Sequence, residues 1–531
     1  MVDVLIIGSG GAGLTSALFA KEAGASVLIV GKSYPTNSQT SMAQGGINAS
    51  LANNEEDHVS LHIADTIKSA HGLCDEDMVR QMCADAPETI AWLERIGVPF
   101  SRIDNKGKGI DSIAQRQMGG ASAKRACYAQ DYTGLKILHT LYDTCLKENI
   151  DFLEEYYLLN LITFEGTVKG ATFLELRSGE VKQINAKSVI IATGGYSSLY
   201  HGYTTNAYGS TGDGIASVLR AGGAVSDMEF IQFHPTSLKH SAILISESAR
   251  GEGGYLLNCE GKRFIDELKP RDEVARAIFA QLQKDKEVFL DLRHLGEEKL
   301  MHLLPQEVAL CKLHEHIDPA TKLIPIKPVA HYSMGGIDVD YALEVNGIKG
   351  CFAVGECSNA KVHGANRLGG NSLLEITTFG KFVGENAYKH AVYASNKEAD
   401  DSQLIQDKAH IANIYAQKNS INFYEKRDFL GKLFYEKVGI VRDNEQLGEA
   451  LKEVIFIQVN ASLMGIGDKS PTHNSNLIDY LEFSNALLLA PTIISSAIAR
   501  DESRGAHYKL GFEKEDENLQ KHIVLQWKKE A

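Results

Sequence analysis

Four stretches, far apart in the chain, place chemically capable residues in apolar or glycine-rich surroundings. They are residues 230–236 (FIQFHPT), residues 244–254 (LISESARGEGG) followed by Pro270-Arg271-Asp272, residues 331–336 (HYSMGG) and residues 363–373 (HGANRLGGNSL). Taken singly, each has an ordinary explanation. His234 could be a satisfied core histidine, and an arginine beside a glycine pair could donate to backbone carbonyls. Glu247 and Arg250, one helical turn apart, could form a plain ion pair. Taken together, Arg250, Arg271 and Arg367 with His234 and His331 describe a site for a small anion. The arginine fork of N–H donors matches a carboxylate, and a dicarboxylate would need such a clamp at each end.

These stretches need a scaffold, and the first residues announce one. An apolar run, Val4 to Ile7, ends in Gly8-Ser9-Gly10-Gly11-Ala12-Gly13, then a helix-like run to Ala23 and a second apolar run, Val27 to Val30. This is strand, tight turn, helix, strand. Gly8 permits the turn, Gly10 lets the backbone approach a pyrophosphate, and Gly13 lets helix and strand pack; the phosphates would sit on the helix start. The acidic residue that ordinarily ends the second strand is missing, since the chain reads Val30-Gly31-Lys32. The loop that follows, through Ser38, Gln39, Thr40, Gln44, Gly45, Gly46 and Ile47, is expected to touch the cofactor.

Helical periodicity is expected over 57–96, with Asp75 as a cap, and over 133–147. Short antiparallel strands are expected over 156–176 and 180–185, then a buried strand from Lys187 to Gly195 returning beside the first. Asp213 either caps the following helix or binds a ligand hydroxyl. From about 235 to 344 prolines and charged turns mark an inserted unit. Residues 351–357 resemble a return to the parallel sheet, with residues 373–388 as its helix. Helices are expected over 403–417, 443–462, 474–500 and 516–530.

At 531 residues the chain should divide into several domains. Its formal net charge of −14 argues against broad binding of nucleic acid or anionic membranes. No run of 18 apolar residues appears, so no transmembrane helix is expected, and a strand beginning by residue 4 leaves no room for a signal peptide. The eight cysteines include no CxxC and read as free thiols, so no metal or cluster site is expected.

The chain resembles the flavoprotein subunits of the fumarate reductase and succinate dehydrogenase family, which includes L-aspartate oxidase. The resemblance runs through the first glycine motif, Ser38-Gln39-Thr40 to Gly46, GVPFSR (97–102), AQDYTG (129–134), TGDG (211–214), the four stretches above and ESRGAH (502–507). It implies an α/β fold: a discontinuous Rossmann-like FAD-binding domain (1–234 and 345–395), an inserted α+β capping domain (235–344) and a C-terminal helical domain (396–531). It implies FAD held by Gly8, Gly10, Gly11, Gly13, Lys32, the 38–46 loop, Asp213, Glu356, Ser372 and Leu373. It implies that Arg271 moves the proton at the substrate carbon, that Glu247 and Arg250 refill it, and that His234, Ser246, His331 and Arg367 hold the dicarboxylate.

Two departures refine the expectation. Many complex-bound members link FAD to a histidine where this chain has Gln39, so non-covalent FAD is expected and fumarate reduction is the favoured direction. Before the glycine pair 119–120, L-aspartate oxidases carry Glu, which reads the substrate ammonium. Met118 cannot, which favours fumarate or succinate over L-aspartate, the alternative substrate. An iron–sulfur subunit, a membrane-anchoring subunit and a cytoplasmic or peripheral membrane location are further expectations of the resemblance.

Overall fold

The strand Val2–Ile7 lies inside a seven-stranded sheet, between Val27–Val30 and Val181–Ile191, parallel to both. The computed structural model describes residues 1–103, 106–107, 109–395 and 399–527. Asp151–Leu153 adds a parallel strand outside Val27–Val30, and Cys351–Ala353 another beside Val189–Ile191. Helices cover this part of the sheet, so Val4 to Ile6 are fully buried and the run reads as continuously apolar rather than alternating.

The separate strands expected at 180–185 and 187–195 are one strand, Val181–Ile191. Its first half pairs antiparallel with Thr167–Glu175, and its second half pairs parallel with Val2–Ile7. Nothing in Asn185-Ala186-Lys187 forces a turn, so the strand continues and changes partner.

Two helices, Gly11–Ala23 and Asn371–Tyr393, pack so closely that a Cβ on Gly384 would lie 2.4 Å from the Ser16 carbonyl oxygen. Both begin at the C-terminal edge of the sheet, where ligands of such folds bind.

The strand Ile231–Leu238 leaves this body and Ile324–Ser333 returns to it, paired antiparallel. With Val288–Asp291 and Tyr255–Asn258 they form a four-stranded sheet against which the helix Arg271–Asp285 packs. Leu238, Ile245, Leu256, Ile278, Leu290 and Ile326 belong to an apolar cluster separate from the main core.

Beyond residue 399, helices span Ser402–Ala416, Phe423–Lys437, Asn444–Val459 and Ser475–Ala499. The second was not expected. Its Gly431, which weakens the helical signal, is there for close approach: a Cβ would lie 2.3 Å from the His201 carbonyl oxygen. The helix expected over 516–530 is overturned. Glu517–Leu519 is a single 3-10 turn, and Val524–Gln526 pairs antiparallel with Ala224–Ser226. An open strand edge there offers hydrogen bonds that outweigh a weak helical preference. Residues 528–530 of that expectation lie outside the described residues, as do residues 396–398 beside the boundary read at 395/396.

Among the described residues one helix, Ser475–Ala499, is long and apolar enough, by length and composition alone, to cross a membrane. In this fold 67% of its most apolar window is buried inside the protein, which accounts for its composition.

Candidate active site

A cleft of about 530 Å³ starts at the glycine turn and ends under the inserted unit. Gly8, Gly10, Gly11, Lys32, Ser38, Gln39, Thr40, Gln44, Gly45, Gly46, Asp213, Glu356, Ser372 and Leu373 all line it. Gly13 does not. A Cβ on it would sit 2.0 Å from the Gly8 carbonyl oxygen, so it serves packing behind the turn.

The cleft fits the expected dinucleotide on two counts. The helices Gly11–Ala23 and Asn371–Tyr393 both present their N-terminal residues to it, where unpaired N–H groups favour anions. Ser38 Oγ, Gln44 Oε1 and Thr193 Oγ1 are buried at its wall without a protein partner, as groups awaiting a polar ligand are.

Asp213 caps nothing. Gly212 holds the N-cap position, which overturns the capping alternative. The Asp213 carboxylate instead accepts from Tyr157 Oη (2.9 Å), Thr211 Oγ1 (3.0 Å), Asn485 Nδ2 (2.9 Å) and Lys32 Nζ (2.6 Å). Lys32 also reaches Glu482 at 2.6 Å. Burial alone would lower the Lys32 ammonium, but Asp213 and Glu482 outweigh it and hold it charged, above its ordinary value.

Glu356 receives Ser333 N at 3.0 Å and Ser333 Oγ at 3.2 Å, and burial pushes its carboxyl up to about 7.

At the other end, Met118, His234, Ser246, Glu247, Arg271, His331 and Arg367 share the cleft wall. The two strands joining the inserted unit to the body carry the histidines, whose rings lie 4.9 Å apart. Thr205 Oγ1 is 2.7 Å from His331 Nδ1, and His234 Nδ1 is 2.9 Å from the Thr236 carbonyl oxygen. Burial first, then His331 and nearby arginines, holds His234 well below its ordinary pKa; burial, Arg271 and Arg367 do the same for His331. Both are neutral in the free protein.

Arg271 begins its helix and turns back onto Glu247, with Nε at 2.8 Å and Nη2 at 2.6 Å from Oε2. Glu247 Oε1 accepts from Gly119 N at 2.8 Å and lies 3.7 Å from Arg250 Nη2. A Cβ on Gly119 or Gly369 would fall 2.3 or 2.6 Å from the Glu247 oxygens, which explains the glycine pairs flanking this carboxylate. Burial would raise Glu247, but Arg271 and Arg250 outweigh it and keep it ionised below its ordinary value. Arg250 is off the cleft wall, buried behind Glu247, with Nε and Nη2 unpartnered by hydrogen bonds.

Three residues of this site were quoted in the sequence motifs, or lay near them, without a role. Gln232 Oε1 accepts from Arg271 Nη1 (3.1 Å) and Arg367 Nη2 (3.2 Å), joining the two guanidinium groups. Tyr332 lies 4.1 Å beneath the Arg367 guanidinium and donates to Glu375 at 3.1 Å. Thr205 orients His331. Burial, then Arg271, lowers Arg367 to about 10. Gln232 and Tyr332 sit inside the quoted stretches; Thr205 gives no local signal.

The chain as a whole is similar to known proteins. A family described as "FAD binding domain" matches residues 3–373, and one described as "Fumarate reductase flavoprotein C-term" matches residues 427–531. The chain is 39% identical to the 8-methylmenaquinol:fumarate reductase flavoprotein subunit of Wolinella succinogenes, over 98% of this chain and 88% of that protein. It is 37% identical to the succinate dehydrogenase flavoprotein subunit of Rickettsia conorii, over 98% of this chain and 92% of that one. A solved Escherichia coli quinol fumarate reductase structure superposes with a TM-score of 0.92 at 36% identity, covering 98% of this chain and 94% of that one.

Proposed function

The chain belongs to the flavoprotein-subunit family of fumarate reductases and succinate dehydrogenases, and from that premise we propose that it works as a fumarate reductase, with Arg271 as proton donor and FAD held without a covalent bond. The observation that carries the reading is the Arg271–Glu247–Arg250 chain opening on the same cleft as His234, His331 and Arg367.

FAD, when bound along the glycine turn, the 38–46 loop, Glu356 and the helix start at Ser372-Leu373, supplies the hydride. The side chains do the rest. Arg367, His234 and His331 take the substrate carboxylates, and Ser246 adds a hydroxyl at the same wall. Free arginine is a poor acid, with a pKa above about 12. Arg271 can deliver a proton only because it is fixed in place and refilled at once by Glu247, which draws on Arg250 behind it. Negative charge that builds on the substrate carboxylate during reduction meets fixed cationic donors on the cleft wall. Met118, apolar where an ammonium would need a carboxylate, suits a substrate without an amino group.

Electrons reach the flavin through a separate iron–sulfur subunit, and a membrane-anchoring subunit places the assembly at the cytoplasmic membrane. The relatives named as flavoprotein subunits, one of them of a menaquinol:fumarate reductase, support this. Steady-state turnover of the purified protein tests the reading. Fumarate with a reduced dye should be consumed, succinate oxidised more slowly, and L-aspartate with oxygen left unchanged; efficient L-aspartate oxidation would overturn it. Acid denaturation should release the flavin.

A further inference from the structure

The segment from Thr204 to Ser210 has little regular structure, yet it is fastened at three points along the cleft. Thr205 Oγ1 holds His331 Nδ1 at 2.7 Å. Ala207 N donates to Gln39 Oε1 at 3.0 Å. Lys32 Nζ donates to the Gly209 carbonyl oxygen at 2.5 Å and is itself fixed by Glu482 and Asp213. Ala207, Tyr208, Gly209 and Ser210 line the cleft between those fastenings.

The fastenings fall at informative places. Gln39 stands where family members carry the histidine that bonds FAD. Lys32 follows the second strand of the nucleotide-binding unit, Val27–Val30, by two residues, near where the ribose is ordinarily held. Glu482 comes from the C-terminal helix Ser475–Ala499, whose only charged residues are Asp479 and Glu482, and both line the cleft. A carboxylate only 12% exposed, on a helix with one other charge, needs a partner, and here that partner is Lys32.

We propose that residues 204–210 form a strap that retains FAD in place of a covalent bond, latched by Gln39 near the flavin edge and by the Lys32–Glu482 pair near the adenosine end. The proposal rests on the reading of the flavin as non-covalent. Gln39 is then a working latch rather than a vacated anchor, and the C-terminal helical region contributes to cofactor affinity.

The test uses flavin-stripped full-length protein titrated with FAD, followed by flavin fluorescence quenching, and limited chymotrypsin digestion after Tyr208, which is 66% exposed. Gln39→Ala removes one hydrogen bond at a half-exposed position and should raise the FAD dissociation constant about three- to tenfold. Glu482→Gln should raise it at least as much, and FAD should protect Tyr208 in the wild type but less in either variant. If Glu482→Gln fails to fold, Gln39→Ala decides alone. Affinity and protection within twofold of wild type, with flavin released by acid, would overturn the strap while leaving non-covalent FAD intact. Flavin retained on the acid-denatured wild-type chain would overturn the non-covalent reading and the strap with it.

Discussion

Arg271 places two of its nitrogens on one oxygen of Glu247, Nε at 2.8 Å and Nη2 at 2.6 Å from Oε2. Its remaining nitrogen, Nη1, lies 3.1 Å from Gln232 Oε1. All three nitrogens of the fork are therefore held, and the group cannot swing within the cleft. Glu247 is ionised between two guanidinium groups, the state a proton carrier needs to reload an arginine.

Glu247→Gln keeps the size and hydrogen-bonding reach of the side chain but removes its basicity. Turnover of fumarate should fall about 10²- to 10³-fold, with KM changed little because His234, His331 and Arg367 remain. Steady-state kinetics at matched flavin content checks this; turnover within tenfold of wild type would remove Glu247 from the proton path.

Gln232 acts through two residues at once. Gln232→Ala leaves the Arg271 and Arg367 guanidinium groups without their shared acceptor, so both proton delivery and carboxylate binding should suffer. We expect kcat to drop and KM for fumarate to rise, each by about tenfold. A change confined to either parameter would show that the bridge serves only one arginine. Gln232→Glu, which restores an acceptor, should recover part of the KM effect.

Glu356 gives a pH signature in the flavin-free protein. Burial raises its folded pKa to about 7, above the ordinary value it has when unfolded. The associated stability is fully present below the ordinary carboxylate range and is lost as pH rises through about 7. Above that, the buried charge costs about 3 kcal/mol. Glu356→Gln should stabilise the flavin-free chain against urea by that order at pH 8 and by far less at pH 5. An equal gain at both pH values would contradict the assignment.

Met118 is buried on the cleft wall, where a Cβ built on Gly45 would touch its Cε at 2.7 Å. Met118→Glu would face the substrate carboxylates with a like charge. KM for fumarate should rise at least about tenfold, while L-aspartate, which brings its own ammonium, should gain affinity as a competitive inhibitor. An unchanged KM would place the residue in packing alone.

How much of this was legible beforehand follows a physical divide. The glycine turn and the strands beside it were readable because their chemistry is local: Gly8, Gly10 and Gly13 sit at fixed offsets between an apolar run and a helix. The cationic cluster was readable as composition, since Arg250, Arg271, Arg367, His234 and His331 stand in or near glycine-rich stretches, but Gln232 bridging two arginines is a matter of three dimensions. Val181–Ile191 was split in two because its partner changes midway. The 516–530 helix failed because Val524–Gln526 is decided by the free edge of Ala224–Ser226, some 300 residues earlier. Glu482 has no role in the sequence motifs, although Asp479 and Glu482 are the two charged residues of an otherwise uncharged helix of 25 residues, which is a visible clue.

The most direct measurement compares kcat/KM for fumarate in wild-type and Arg271→Ala protein at equal flavin content, together with malonate affinity. A proton-donating Arg271 requires a loss of at least about 10³-fold, with flavin still bound and malonate held by Arg367 and the two histidines. Turnover of the Arg271→Ala protein close to that of the wild type would contradict the role given to this arginine.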